Sequence, residues 1–241
     1  MKMISKLNPD PDSLFSPDGA AILIDKPIYW TSFKVIHELR KQMGIKKAGH
    51  AGTLDPLATG MLIVCTNRST KILDKYQELP KVYSGSFCLG QVTPSMDLET
   101  EVSEKFNLDH LTEESIRNTI EFFTGEIYQI PPMYSAISYK GKKLYDLARK
   151  GSVVERNPRQ VHVSRFLINK IELPYVEFEI ECSKGTYIRV LASDFGQKLG
   201  CGAYLSSLRR ESIGEYSVEY AFTPDELFKI NKTICSLSYA E

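Results

Sequence analysis

The run Gly49-His50-Ala51-Gly52-Thr53-Leu54-Asp55-Pro56-Leu57-Ala58-Thr59-Gly60 constrains this chain more than any other segment of it. Two glycines bracket His50, so the backbone there can take positive φ or lie close against another molecule. Asp55 precedes a proline, whose ring pushes it out of the helical region into an extended or turn geometry that displays its carboxylate. From Leu57 to Cys65 the sequence is apolar and reads as entering a core. An Asp-Pro turn beside a strand accounts for such a pattern on its own. Here, though, the loop lies among Lys46, Lys47, His50 and Arg68, a setting that attracts an anionic substrate, and a carboxylate kept in such a place points to chemistry.

The rest of the sequence bounds what that chemistry can serve. With 241 residues, 42% apolar and 25% charged, the chain can bury a proper core as one large or two small domains. Thirty basic and thirty acidic side chains cancel, which taken alone argues against a nucleic-acid partner. The distribution reverses that reading. Residues 25–75 carry nine basic side chains against four acidic, residues 139–170 nine against two, and residues 184–210 five against one. The acid is concentrated in 97–126 and 211–241, so a basic face can exist at zero net charge. Five cysteines (65, 88, 182, 201 and 235) form no CxxC pair and read as reduced thiols. No segment approaches the ~20 apolar residues of a membrane span, and the first 18 residues read as a flexible lead-in without a signal core. The expected address is the cytoplasm.

Along the chain, Ala20–Asp25 reads as a buried strand ending at Lys26-Pro27. Thr31-Ser32 can cap a helix that carries Val35, Ile36 and Leu39 on one face and stops at Gly44. Residues 69–76 read as helical, and Val82–Gly90 alternates as a half-exposed strand. A helix is expected over 111–123, a strand over 178–182 and a helix over 188–199. Strands and helices interleave irregularly, which fits a single α/β or α+β domain. Between Pro131 and Arg159 lies a basic, aromatic, glycine-bearing stretch that reads as a long surface insertion.

Three further constellations carry chemistry. Lys184-Gly185-Thr186-Tyr187-Ile188-Arg189 leads a glycine turn into a helix, so that Arg189 either pairs with a buried carboxylate or faces solvent. Tyr83 on its strand either stacks on a base or packs. Ile130–Ala136, with Lys140-Gly141-Lys142-Lys143-Leu144-Tyr145 and Arg149, interleaves aromatics with cations, as looped or single-stranded nucleic acid requires. The sequence has no P-loop, Rossmann glycine pattern, HExxH or GxSxG. His37, His110 and His162 read as surface or core residues. The residues alone thus describe an RNA-directed activity with one displayed aspartate.

These segments resemble the TruB-type tRNA pseudouridine synthases, which isomerise the T-loop uridine at tRNA position 55. The resemblance rests on Gly49–Gly60, on Asp25-Lys26-Pro27 with Thr31-Ser32, on Lys81-Val82-Tyr83, on Ile130–Ala136 with Tyr139-Lys140-Gly141, on Cys182–Arg189 and on Leu208-Arg209-Arg210. It implies an α+β fold, a mixed, largely antiparallel central sheet flanked by helices, with residues 19–225 as the catalytic domain and about 131–159 as a thumb. It implies that Asp55 attacks the target nucleotide, that Tyr83 stacks on the flipped base, that Arg189 pairs with Asp55 and that His50 fills the gap the base leaves. Lys26, Pro27 and Leu208 would shape the pocket, with Asp97, Tyr187 and Lys140 also binding substrate. Whether Asp55 attacks ribose or base, or removes a proton, stays open. No cofactor and no metal are implied, and the partner is the T-arm of tRNA, met by a monomer. Tyr29 and Thr100 depart from the family pattern, each standing where glycine is usual. Residues 226–241 are expected to be a tail, too short for the C-terminal PUA domain of many relatives.

Overall fold

The computed structural model describes residues 2–230. In chain order its strands are β1 (Met3–Ile4), β2 (Ala21–Lys26), β3 (Ala48–His50), β4 (Thr59–Thr66), β5 (Lys81–Leu89), β6 (Gln91–Val92), β7 (Glu104–Lys105), β8 (Gly125–Gln129), β9 (Ser138–Tyr139), β10 (Lys142–Lys143), β11 (Arg159–Glu172), β12 (Tyr175–Cys182), β13 (Ala203–Ile213) and β14 (Tyr216–Ser217). The α-helices are α1 (Ser32–Met43), α2 (Leu73–Glu78), α3 (Glu113–Asn118), α4 (Leu144–Ala148) and α5 (Ile188–Lys198). Most strand pairings are antiparallel, with β1–β2 and β4–β13 parallel, so the α+β class with a largely antiparallel sheet holds. The described residues form two compact units: one of those up to Tyr83 together with those from Leu208 on, the other Ser84–Ser207.

In the first unit β2 pairs antiparallel along its whole length with Gly60–Cys65 of β4, and both strands are buried on both faces. Alternate residues therefore feed two cores. Ile22, Ile24, Leu62 and Val64 pack with Val35, Ile36, Leu39 and Met43 of α1. Ala21, Leu23, Met61, Ile63 and Cys65 pack with Tyr76 and Ile213. This is why both strands read as unbroken apolar runs rather than alternating ones. Thr31 caps α1 by accepting the Lys34 N–H at 2.9 Å, and Gly44 ends it at φ +69°. Residues 2–18, expected to be a lead-in, are part of this unit: β1 pairs with β2, and Ile4 and Leu14 are fully buried in the core beside α1. Two apolar side chains with core partners outweigh the entropy of ordering a short segment. Of the expected tail 226–241, residues 226–230 are helical and Leu227 is buried in the same core, while residues 231–241, Cys235 among them, lie outside the described residues; the other four cysteines are buried and unbridged.

In the second unit β12, β11 and β8 pair antiparallel, and Phe87, Phe123, Phe166, Phe178 and Phe195 form an aromatic core. α3 starts with a capping box between Thr112 and Ser115. In the 131–159 insertion, β9 and β10 form a hairpin whose Lys140 and Gly141 both take positive φ, the geometry of a primed two-residue turn.

Phe195 is fully buried and meets the rings of Phe87, Phe123 and Phe166 at 5.7–5.8 Å. Phe195→Ala is expected to lower stability by about 3–5 kcal/mol, read as a shift of the urea unfolding midpoint, because the rigid surrounding rings leave a cavity.

Candidate active site

β4 places a glycine between two buried cations. Gly60 is opposite Lys26 of β2 on one side and Arg210 of β13 on the other. Its φ is +102°, and a Cβ there would lie 2.3 Å from the Arg210 carbonyl oxygen, so only glycine fits. Lys26 is fully buried, and its ammonium donates to the Pro27 carbonyl at 3.0 Å and the Trp30 carbonyl at 2.6 Å. Arg210, also buried, donates from Nε to the Met61 carbonyl at 2.7 Å and from Nη2 to the Gly52 carbonyl at 3.1 Å. The loop between Gly52 and Gly60 is thus tied at both ends to one guanidinium.

Its middle is tied to α1. The Ser32 hydroxyl accepts the Leu54 N–H at 2.9 Å and donates to the Leu54 carbonyl at 3.3 Å, fixing the residue before Asp55. The Ala58 N–H donates to the Asp55 carbonyl at 3.1 Å, closing the turn, and the Tyr29 N–H donates to the Pro56 carbonyl at 2.8 Å. Asp55 itself is half-buried. Burial pushes the Lys26 ammonium down to about 8; attraction to Asp55 opposes that shift, repulsion from Arg210 adds to it, and Asp25 opposes it again. His50 closes β3, with Nδ1 buried and without a hydrogen-bond partner among the described residues. Burial and then the Arg210 charge lower its pKa, with the Gly52 backbone opposing the shift, which favours the neutral ring. Lys26 and His50 therefore share the electrostatic neighbourhood of Arg210, and Asp55 that of Lys26. Pro27 is half-buried beside Lys26, and Tyr83 and Leu208 lie on β5 and β13, Tyr83 buried and Leu208 half-buried. Arg209 forks onto Asp25 at 3.1 and 2.8 Å.

The second unit assembles the other predicted residues. Arg189, in the first turn of α5, is buried with Nε 3.6 Å from Asp97 Oδ2. It donates from Nη1 to the Ser95 carbonyl at 3.3 Å and from Nη2 to the Tyr134 carbonyl at 2.9 Å. The loop that holds Asp97 is closed by Thr100, whose hydroxyl accepts the Ser95 N–H at 3.0 Å and meets the Ser95 hydroxyl at 2.8 Å. The departure from glycine at 100 is thereby explained: its side chain bonds the loop together. Tyr187 begins α5; its N–H donates to Gln129 Oε1 at 2.9 Å and its carbonyl accepts from Gln129 Nε2 at 3.1 Å. Lys140 stands on the hairpin turn, its ammonium 5.4 Å from the centre of the Tyr139 ring.

Ser32, Arg210 and Gln129 have anchoring roles that the sequence conceals, because each acts on backbone atoms of distant residues. The buried Asp97–Arg189 pair was equally hidden, although both residues stand in recognised segments. The basic block at 25–75 also has a structural counterpart, a cleft of about 540 Å³ with Lys46, Lys47, Arg68 and Lys71 along it. None of residues 49–60 lines it. No group of His, Cys, Asp and Glu suited to hold a metal ion occurs among the described residues, and no described helix is long and apolar enough to cross a membrane.

Residues 40–188 match the TruB family pseudouridylate synthase (N terminal domain). A tRNA pseudouridine synthase B of Flavobacterium johnsoniae is 45% identical over 211 residues, covering 85% of this chain and 92% of that one. Its counterpart in Chloroherpeton thalassium is 48% identical over 223 residues, covering 90% and 92%. Among solved structures, a chain of a Cbf5–Nop10–Gar1 complex superposes with a TM-score of 0.70 at 27% identity over 94% of this chain. The chain spans 58% of that solved chain.

The burial of Lys26 has a pH signature. Its folded-state pKa of about 8 lies below the ordinary lysine value of 10.5, so between those limits the unfolded chain binds more protons and stability rises with pH. Below pH 8 the cost of burying the charge is fully present; above 10.5 it is gone. Lys26→Met is expected to remove this rise, measured by urea unfolding at several pH values from 7 to 10.5. An unchanged slope would mean that the ammonium is not desolvated.

Proposed function

The chain belongs to the TruB family of pseudouridylate synthases, and on that premise we propose that it isomerises the T-loop uridine at tRNA position 55 to pseudouridine. The observation that carries the proposal is the Asp55 turn, held on three sides by Ser32, Arg210 and the Tyr29 backbone, with the Lys26 charge attracted to its carboxylate. A carboxylate positioned this firmly is pre-organised to act on a bound group. The relatives' names supply the substrate class, and the cation-rich insertion fits it.

Isomerisation breaks a C–N glycosidic bond and forms a C–C bond with no net gain or loss of atoms, so no cofactor is required. The target nucleotide must first leave the folded loop, at a cost of about a few kcal/mol. Asp55 then acts on it as the essential carboxylate. In this reading Tyr83 stacks on the flipped base, His50 fills the vacated position as a neutral imidazole, and Lys26, Pro27 and Leu208 wall the pocket. Arg189 is assigned the ion pair with Asp55. A guanidinium presents five N–H donors in a planar fork, a geometry that suits carboxylates. Asp97 and Tyr187 position that end of the site, and Lys140 meets phosphate. The same reading places the protein in the cytoplasm as a monomer, with residues 131–159 as the thumb of its catalytic domain.

Asp55→Asn tests the assignment directly. Incubated with T-arm RNA, it is expected to form no pseudouridine while unfolding and binding RNA nearly as the parent does; turnover within tenfold of the parent contradicts the role. The thumb is tested by salt. Replacing Lys140, Lys142 and Lys143 with alanine is expected to weaken RNA binding and flatten its salt dependence by up to roughly one slope unit per lost phosphate contact. Binding titrations at four salt concentrations check this.

A further inference from the structure

Tyr29 holds a backbone conformation that suits glycine, with φ +65°, yet carries one of the largest side chains available. Residues with a Cβ are strained in that region. Burial does not repay the strain, because Tyr29 is 73% exposed. Nor does bonding: the ring and hydroxyl have no hydrogen bond, ion pair or ring partner among the described residues. The conformation is imposed from outside the side chain. Lys26 clamps the carbonyls of Pro27 and Trp30 on either side, and the Tyr29 N–H is bound to Pro56, the residue after Asp55. All of these contacts would survive with glycine at 29. The phenol ring therefore contributes nothing visible to the fold, while it stands on the loop that frames the Asp55 turn.

Its surroundings define what it could meet. Phe33, 72% exposed, follows on the first turn of α1, and Lys34 Nζ sits 4.5 Å from the centre of the Trp30 ring. Exposed rings next to a cation are a surface for an unpaired base and its phosphate. Tyr29 is linked by one hydrogen bond to the residue after Asp55, so this surface adjoins the Asp55 turn, and the RNA on which Asp55 acts is the occupant that suits it.

We propose that Tyr29 is a substrate-positioning residue that stacks on an unpaired base of the RNA other than the one isomerised. The inference rests on the reading of the protein as an RNA-modifying enzyme. The geometry gives the test two opposite signs. Tyr29→Gly relieves the backbone strain and removes the ring, so its unfolding midpoint should equal or exceed the parent's while KM for a T-arm hairpin rises about tenfold, in line with one lost base–aromatic stack. The effect on kcat should be much smaller, as expected when ground-state and transition-state binding are lost together. Tyr29→Ala should raise KM equally without the gain in stability, and Tyr29→Phe should match the parent. Hairpins carrying a single abasic site at each loop position should include one on which the parent and Tyr29→Gly become indistinguishable. A KM for Tyr29→Gly within twofold of the parent, a Tyr29→Phe as impaired as Tyr29→Gly, or the absence of such an abasic position would each overturn the proposal.

Binding of the same hairpins measured by fluorescence anisotropy in an Asp55→Asn background separates the two levels. If the parent sequence binds RNA but forms no pseudouridine, the assigned activity fails, while the stacking role is still decided by the affinity ratio between Tyr29 and Tyr29→Gly.

Discussion

Two buried cations on either side of a glycine set the terms for the first unit. Removing Lys26 and Arg210 from water is expensive, and their like charges add to the cost. The structure meets that cost with backbone carbonyls: those of Pro27 and Trp30 for the ammonium, those of Gly52 and Met61 for the guanidinium. The Pro27 and Trp30 carbonyls belong to the loop before α1, that of Gly52 to the loop that carries Asp55, and that of Met61 to β4 where this loop ends. Solvating the cations and shaping the loops are consequently one event, and neither loop can drift without exposing a charge to an apolar interior. Gly60 is what lets the backbones approach closely enough for this.

The second unit solves a similar problem differently. Arg189 is buried beside a carboxylate rather than beside another cation, and Asp97 in turn accepts the Glu99 N–H at 2.9 Å in a loop knit by Thr93, Ser95 and Thr100 hydroxyls. A buried pair whose remaining lone pairs and protons are bonded is tolerated; one left half-satisfied is not. Thr100, where the resemblance led one to expect glycine, adds a hydroxyl that bonds within this loop.

What could be read from the sequence follows from where the determining interactions are local. The ends of α1 were legible because Thr31 and Gly44 act within one turn of the helix. So was the Asp55 turn, whose glycines and proline fix their own φ. The 14-residue β11 was not legible. Its outward positions carry Arg159, Gln160, His162, Arg165 and Lys170, and its register shifts between Val163 and Arg165 and again between Ile168 and Lys170, so the alternation that marks a strand is broken twice. It read instead as part of a basic block. β13 was hidden for a related reason: Ser206, Ser207, Arg209, Arg210 and Glu211 look like surface, although Arg210 is buried. The expected helix over 69–76 divides into a 3-10 turn and the short α2, because Asn67 takes positive φ to bond the carbonyls of Leu14 and Ser16.

The anchoring of the Gly52–Gly60 loop by Arg210 also bears on the order in which the protein comes into being. On the ribosome, residues 49–60 emerge some 150 residues before their guanidinium does. Ser84–Ser207 is continuous in sequence and can close its own contacts as it appears, whereas the unit that carries Asp55 must wait for β13 to complete it. A nascent chain that stops before β13 would have the β2–β4 ladder and the Ser32 contact, but no guanidinium on the Gly52 and Met61 carbonyls. The turn is thus set only once β13 has been made, well after its own residues have emerged.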